Sequence, residues 1–260
     1  MYSRPTVPKS IGGVLDDIFK LYAAALPVCW SLSLTSALLV MAPNTYLQLQ
    51  LRGDPTRAMA QFSSPTVWIC YAAIMVVSVA LSVSIMVRTL NVANGEDGSF
   101  ASALSRGFGL FPRTCLASIL FGLAVFVGII LLIVPGIFLM VAFMLSAPLI
   151  VAEDMSATAS LSRSRQLIKG DWWRTCAIFS VALLVAYLLI ICVGFISGVA
   201  GVLGGADRTF TLIISSIVGG LLNAFVLPLY SAVVLGIYFD LKLRKEGDDL
   251  ADRVAALGKT

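Results

Sequence analysis

The residues whose types most directly indicate a chemistry lie in one short segment, SLSRSRQLIKGDWWRTC, which spans residues 160–176. The cations and paired aromatic residues of this basic segment are Arg163, Arg165, Lys169, Trp172 and Trp173. Cations close to a membrane surface attract anionic lipids, and tryptophan rings favour the membrane–water interface. If the segment lies on a membrane, we expect these five side chains to contact lipid headgroups, and anionic phospholipids in particular.

Two other interpretations of the basic segment stay open at this stage. Lysine and arginine beside a spanning helix orient that helix in the membrane, so the segment also fits a topology signal with general membrane anchoring. Its cations also have carboxylate partners available elsewhere in the chain, namely Glu153, Asp154 and Asp240. If the segment is a topology signal, its contact with lipid is unspecific. If its cations pair with these carboxylates, their charges are neutralised inside the protein.

The remaining residues give little indication of catalysis. The chain has no histidine, which removes the most common general base and every triad built on one. Neighbouring residues on a helix point about 100° apart, so adjacent carboxylates seldom converge on one atom. The carboxylates do occur as adjacent pairs, at 16–17, 96–97, 153–154 and 248–249. We therefore predict no catalytic residue, no metal or cofactor site and no enzymatic activity.

The composition places the chain in a membrane. It is 260 residues long, 59% hydrophobic and 12% charged, with a mean hydropathy of +0.96. About 20 apolar residues in a helix cross a bilayer, and each charge-free run exceeds that length. The runs are residues 21–51, 58–87, 114–152, 175–206 and 209–239. No concentrated basic footprint of the kind that binds nucleic acid is present, so we expect membrane lipids as partners and no nucleic acid.

The run at 114–152 is about twice the length that one span needs. Pro135 and Gly136 lie in its middle and predict a tight turn, which divides the run into two spans and gives six in total. With six spans, all but three of the 18 lysines and arginines fall on one side, which the positive-inside rule makes cytoplasmic. Both termini are then cytoplasmic. The second half of the run is short, so a re-entrant fourth segment is an open alternative.

The predicted fold class is an all-α integral membrane protein with six transmembrane helices, arranged as three hairpins. An amphipathic stretch precedes each hairpin, with apolar residues on one face and charges opposite, as in helices that lie in the membrane interface. Breaks at Pro112 and at Gly170 are expected to separate the second and third stretches from their spans. A single domain, residues 1–260, then contains three pseudo-repeats at about 9–88, 98–152 and 155–240, with a cytoplasmic tail at 241–260.

One strongly polar side chain, Asn223, lies deep in a predicted span. Polar side chains at such positions usually hydrogen-bond between helices, and we expect this role for Asn223, with the lining of a substrate path as the alternative.

Three stretches of the sequence resemble a bacterial membrane-domain family. They are VPGIFLMVAFMLSAPLIVAED (134–154), ASLSRSRQLIKGDWWR (159–174) and YFDLKLRKEGDDL (238–250). The matching positions are Pro135, Gly136, Pro148, Arg163, Ser164, Leu167, Gly170, Tyr238, Asp240, Arg244, Glu246, Gly247 and Asp249; Lys242 stands where the family has arginine. The family includes the membrane domain of some glycerophosphoryl diester phosphodiesterases and stand-alone six-helix relatives. The resemblance implies a multi-pass protein of the bacterial inner membrane and carries over no phosphodiesterase activity.

Taken together, these features favour a non-enzymatic inner-membrane protein whose cytoplasmic interfacial helices organise lipids or an unidentified membrane-protein partner. The alternative is a transporter or permease for a lipid-related or small neutral solute. A membrane-embedded lipid enzyme is a third hypothesis, and the absence of histidine argues against most such designs.

Overall fold

The computed structural model describes residues 2, 4–51, 56, 63–96, 98–203 and 208–257. These residues form helices and contain no β-strand. The helices are α1 (Ile11–Leu51), α2 (Pro65–Asn94), α3 (Phe100–Leu131), α4 (Ile133–Phe143), α5 (Ser146–Glu153), α6 (Ala157–Ile168), α7 (Trp172–Leu203) and α8 (Arg208–Leu257).

Six helical stretches are long and apolar enough to cross a membrane, which confirms the predicted number and the all-α class for the described residues. Helices α4 and α5 count together as one stretch, Ile133–Glu153, whose 21 residues suffice for a full span by length. The arrangement of the six as three hairpins in a bilayer stays a prediction.

The buried core lies at one end of the helix bundle. Its largest fully buried side chains come from the first turns of α1, from the second half of α2, from α5 and α6, from the start of α7, and from the second half of α8; they include Ile18, Leu21, Ile85, Leu149, Ile150, Leu167, Ile168, Ile178, Tyr238 and Phe239. The ion pairs described below lie at this same end, which we call the charged end. Beyond its first turns, α7 is apolar on all sides and largely exposed, as expected of a helix that faces lipid.

Helices α3 and α4 are joined by a single residue, Leu132, in extended conformation (φ −168°, ψ 148°). The chain therefore breaks three residues before the predicted turn at Pro135 and Gly136, and both of those residues lie in the first turn of α4. Proline is tolerated there because the first N–H groups of a helix lack intrahelical acceptors. Gly136 instead allows α4 to pack closely on α3, since a Cβ at Gly136 would lie 2.9 Å from the Ile129 backbone nitrogen.

Only one of the three predicted amphipathic helices is separate from its span. The first forms the beginning of α1, and the second continues through Pro112 into the rest of α3, so the break expected there is wrong. Neighbouring groups in a membrane helix can satisfy the carbonyl that a proline leaves free, which is why Pro112 need not end the helix. The third is α6, and Gly170 ends it in a left-handed conformation (φ 95°) as predicted.

Candidate functional site

Helix α6, which carries most of the basic segment, is packed into the protein along one face. Ser156 caps its first turn by accepting a hydrogen bond from the Ala159 N–H at 3.4 Å. The buried face consists of Ala157, Ser160, Ser164, Leu167 and Ile168. A helical wheel predicts an apolar face of Ala157, Leu161, Ile168 and Trp172. Ala157 and Ile168 are buried, but the wheel misses the two serines because hydropathy assigns serine to the polar side.

Ser164 fixes α6 against the interruption between α4 and α5. Its hydroxyl donates to the Ala142 carbonyl oxygen at 2.8 Å and accepts from the Leu145 N–H at 3.2 Å. Pro148 is the third residue of α5 and has no N–H to donate to the carbonyl four residues earlier, that of Met144. The helix is therefore interrupted at Met144 and Leu145. One buried hydroxyl thus satisfies two backbone groups that this interruption leaves without helical partners.

A cavity of about 560 Å³ lies between α4, α6 and the start of α7. We call it the α6 cavity. One wall is apolar and aromatic and the other is polar and cationic; the lining residues are Phe138, Ala142, Ser162, Arg165, Gln166, Ile168, Lys169, Gly170 and Trp172. A cavity with these two walls matches a molecule that has a polar anionic end and an apolar end.

The five predicted headgroup residues divide into two groups. Arg165, Lys169 and Trp172 line the α6 cavity, whereas Arg163 and Trp173 do not. Arg163 lies 3.7 Å from a Glu246 carboxylate oxygen.

Arg165 and Lys169 have no carboxylate within 4.0 Å among the residues that the structure describes. Both side chains are exposed, so their charges remain available to an external anion.

The two tryptophans have different surroundings. Trp172 stacks on Phe138 with ring centroids 5.7 Å apart, and its indole N–H donates to the Phe138 carbonyl oxygen at 3.3 Å. These contacts fix the aromatic wall of the α6 cavity. Trp173 packs edge-on against Trp172 and is 81% exposed, so it projects outward from the bundle. Trp172 therefore forms part of the cavity wall, and Trp173 is exposed on the outer surface of the protein.

Arg174, the last cation of the basic segment, is used inside the protein. Its Nε lies 3.0 Å from Oδ2 of Asp240, and its terminal nitrogen donates to the Lys9 carbonyl oxygen at 2.6 Å. Arg244 also contacts the Asp240 carboxylate, with Nε 3.3 Å from Oδ1. Pairing with Asp240 was one of the open interpretations of the segment, and it holds for this arginine. The Lys9 carbonyl is a partner that sequence reasoning missed, because backbone acceptors leave no compositional signal.

Further contacts hold the other elements of the charged end together. Lys242 donates to Oε1 of Glu153 at 2.8 Å, and the Tyr238 hydroxyl donates to the same oxygen at 2.8 Å. Arg113 pairs with Asp154 at 2.7 Å. In the N-terminal segment, burial and the nearby Asp17 carboxylate raise the pKa of Tyr2 to about 12. Glu153 and Asp154 are therefore each paired with a cation from another helix.

A different cavity occupies the opposite end of the bundle, between α1 and α8. It has a volume of about 280 Å³ and is lined by uncharged residues, among them Asn223. Asn223 is exposed there and has no hydrogen-bond partner among the described residues, so the expected interhelical bond is not formed within that part of the chain. In the same described part, no group of three or more Cys, Asp or Glu side chains is placed to hold a metal ion.

Comparison with known proteins gives one informative similarity. The chain is 32% identical over 93 residues to a UPF0259 membrane protein of Sodalis glossinidius (strain morsitans). The match covers 36% of this chain and 37% of that relative, so it spans well under half of either protein. No protein-family profile matches the chain, and no solved structure matches it. The similarity supports a bacterial membrane family and shows no link to glycerophosphoryl diester phosphodiesterases. With its six apolar helices, the chain is a multi-pass membrane protein.

Proposed function

We propose that this membrane protein is non-enzymatic and organises lipids by binding anionic phospholipid headgroups in the α6 cavity. The observation that carries the proposal is the pair of cations, Arg165 and Lys169, which lack carboxylate partners in the described structure and face an aromatic wall. Every other basic residue of α6 and of the first turn of α7 has an acidic neighbour. An anion is therefore the missing counterpart of these two charges.

The apolar wall of the cavity is the reason that we propose a lipid and not a free anion as the ligand. Phe138, Ala142 and the ring of Trp172 provide apolar surface next to the cations. A phospholipid places its phosphate beside its acyl chains in the same way, so both walls find a complementary group. Gln166 and Ser162 add uncharged donors for the ester and phosphate oxygens.

The proposal places the charged end on the cytoplasmic side of a bacterial inner membrane. Its support is the charge distribution of the sequence, in which Arg52, Arg57 and Arg208 are the lysine or arginine residues assigned to the other side. The cytoplasmic leaflet is rich in anionic lipid, and each cation near its surface contributes about 1 kcal/mol. Arg165 and Lys169 together then contribute about 2 kcal/mol, or roughly a 30-fold change in affinity.

The test compares lipid retention in two charge-matched double variants. In Arg165→Gln/Lys169→Gln both cavity cations are neutralised. In the control, Lys20→Gln/Arg113→Gln, two exposed cations of the charged end are neutralised, and both of these have acidic partners. Each protein is equilibrated with equal amounts of phosphatidylglycerol and phosphatidylcholine, and the bound lipid is identified by native mass spectrometry.

The cavity variant should lose its preference for phosphatidylglycerol by up to about 30-fold, while the control keeps most of it. Because surface charge is screened within about 8–10 Å at physiological salt, the preference of the unaltered protein should also weaken in high salt. Equal retention by the two variants contradicts the proposal and leaves the basic segment as a topology signal.

Transport of a lipid-related or small neutral solute stays an alternative prediction. A transporter would move phosphatidylglycerol or a neutral solute across a sealed vesicle, whereas a lipid-organising protein would bind lipid without such movement. A fluorescent-lipid scrambling assay and a solute-efflux assay, both on sealed vesicles that contain the unaltered protein, together separate these two functions.

A further inference from the structure

The cavity between α1 and α8 lies at the end of the bundle away from the ion pairs, and we call it the neutral cleft. Two helix faces line it at the three- and four-residue spacing of adjacent turns; they are Ala37, Val40, Met41, Asn44, Thr45 and Gln48 of α1 and Leu212, Ser215, Ser216, Gly219, Gly220 and Asn223 of α8. Half of these twelve lining residues carry a polar side chain, and none carries a charged one.

Two adjacent glycines shape the neutral cleft. A Cβ on Gly220 would lie 2.7 Å from the Met41 sulfur, so this glycine lets α8 approach α1 closely. A Cβ on Gly219 would meet no heavy atom within 4 Å. Gly219 therefore borders open space, and the absence of a side chain there keeps part of the cleft empty.

Three of the polar side chains are satisfied by their surroundings. Thr45 donates to the Met41 carbonyl at 2.9 Å and Ser215 donates to the Thr211 carbonyl at 2.7 Å. Asn44 donates to the Val40 carbonyl at 2.9 Å and accepts a long hydrogen bond of 3.4 Å from the Tyr71 hydroxyl. These residues still offer oxygen lone pairs to the cleft.

The other three polar side chains, Gln48, Ser216 and Asn223, have no hydrogen-bond partner in the part of the chain that the structure describes. Two amides and a hydroxyl together provide both donors and acceptors. Polar groups that face a shared space between apolar helices require water or a polar ligand as a hydrogen-bond partner.

From this arrangement we propose that the neutral cleft binds a small uncharged polyhydroxyl molecule. Each hydroxyl group of such a molecule both donates and accepts, as the amide and hydroxyl lining does. The volume of about 280 Å³ corresponds to roughly nine water molecules at about 30 Å³ each, which suits a three- to six-carbon polyol.

The lining also discriminates against the other ligand classes. A phospholipid headgroup carries a phosphate, and no lysine or arginine among the described residues lines the neutral cleft. An ion would lose its hydration without gaining a countercharge, which is costly away from water. An acyl chain would leave Gln48, Ser216 and Asn223 unsatisfied. A free neutral polyol fits the cleft without any of these costs.

The test uses three probes with the same six-carbon chain, namely sorbitol, its carboxylate analogue gluconate and its amine analogue glucamine. Binding is measured by saturation-transfer-difference NMR on the protein in phosphatidylcholine nanodiscs. Gly219→Leu fills the cleft, and Gly198→Leu is the matched control, because Gly198 on α7 also has no heavy atom within 4 Å of an added Cβ and lies outside the cleft. Asn223→Leu removes an unpaired amide without changing the backbone.

Sorbitol should give a signal with the unaltered protein and with Gly198→Leu, and at least tenfold weaker binding with Gly219→Leu and with Asn223→Leu. Gluconate and glucamine should bind more weakly than sorbitol. The proposal is overturned if sorbitol gives no signal, if Gly219→Leu and Gly198→Leu bind it equally, or if a charged analogue binds as well. A phospholipid that occupies the cleft, shown by a Gly219→Leu-sensitive lipid in native mass spectra without sorbitol binding, also overturns it.

Discussion

Arg174 at the start of α7 and Asp240 in the second half of α8 form an ion pair, with Nε 3.0 Å from Oδ2. The Asp240 side chain is 5% exposed, and Arg244 lies against its other oxygen. Both guanidinium groups also donate to the carbonyl oxygen of Lys9, at 2.6 and 2.7 Å. A single carboxylate therefore fixes the N-terminal segment, α7 and α8 relative to one another.

Asp240→Asn should destabilise the protein strongly. The substitution removes the negative charge and leaves two arginines next to each other in a largely buried position, and breaking such a pair costs about 3 kcal/mol or more. The measurement is the apparent Tm from fluorescence-detected size-exclusion chromatography. Asp16→Asn is the control, because Asp16 is 60% exposed and pairs with Lys20 in the same helix, where pairs contribute below about 1 kcal/mol. Equal melting temperatures for the two variants would refute the structural role of Asp240.

Ser164→Ala should destabilise the packing of α6 against the interrupted helix. The variant leaves the Ala142 carbonyl and the Leu145 N–H without the hydroxyl that satisfies both, at a cost of about 1–3 kcal/mol. Ser160→Ala is a close control, since Ser160 is equally buried but donates only to the Ala157 carbonyl of its own helix. A lower Tm for Ser164→Ala than for Ser160→Ala is expected, and the reverse order would contradict the assignment.

The parts of this fold that the sequence predicted are those set by local composition. Five charge-free runs, one of them twice the length of a span, predicted the six spans, because the bilayer requires an apolar helix of about 20 residues whatever its neighbours are. Gly170 was predicted to end a helix because glycine adopts positive φ without strain, and it does so here. Pro112 shows the limit of such local rules, since a membrane helix continues through it.

The candidate site depended on partners that are distant in the chain. Arg163, Arg165, Lys169 and Arg174 all belong to the basic segment, and nothing local distinguishes them. Two of them pair with Glu246 and Asp240, more than 60 residues away, and the other two line a cavity. Ser164 was equally unpredictable, because its acceptor Ala142 and donor Leu145 become available only where another helix is interrupted.

Gly136→Ala should be destabilising although alanine is the better helix former. A Cβ at Gly136 would overlap the Ile129 side chain and lie 2.9 Å from the Ile129 backbone nitrogen, so α3 and α4 would have to separate. Overpacking of this kind typically costs about 1–3 kcal/mol. The control is Gly122→Ala in the apolar part of α3, because no heavy atom lies within 4 Å of a Cβ added there. This variant should be neutral or stabilising by up to about 1 kcal/mol. The Tm of both variants is measured. An unchanged Tm for Gly136→Ala would show that α3 and α4 do not pack this closely.

The last prediction concerns the side of the membrane on which each end of α3 lies. Leu132 follows the last residue of α3 and is 68% exposed, and Ser105 is an exposed residue near its start. At about 1.5 Å per residue the two positions are roughly 40 Å apart, more than the thickness of a hydrocarbon core. Single cysteines are introduced at either position in a variant that lacks the five native ones, and intact bacterial cells are treated with a membrane-impermeant thiol reagent.

Leu132→Cys should react in intact cells, and Ser105→Cys should react only after the membrane is permeabilised, because the charge distribution places the charged end in the cytoplasm. A reporter fused after Gly247 should likewise give a cytoplasmic signal. Reaction of Ser105→Cys but not of Leu132→Cys in intact cells would invert the topology and remove the cytoplasmic leaflet as the source of anionic lipid. If Leu132→Cys stays unreactive even after permeabilisation, α3 and α4 are joined inside the bilayer and the fourth segment is re-entrant.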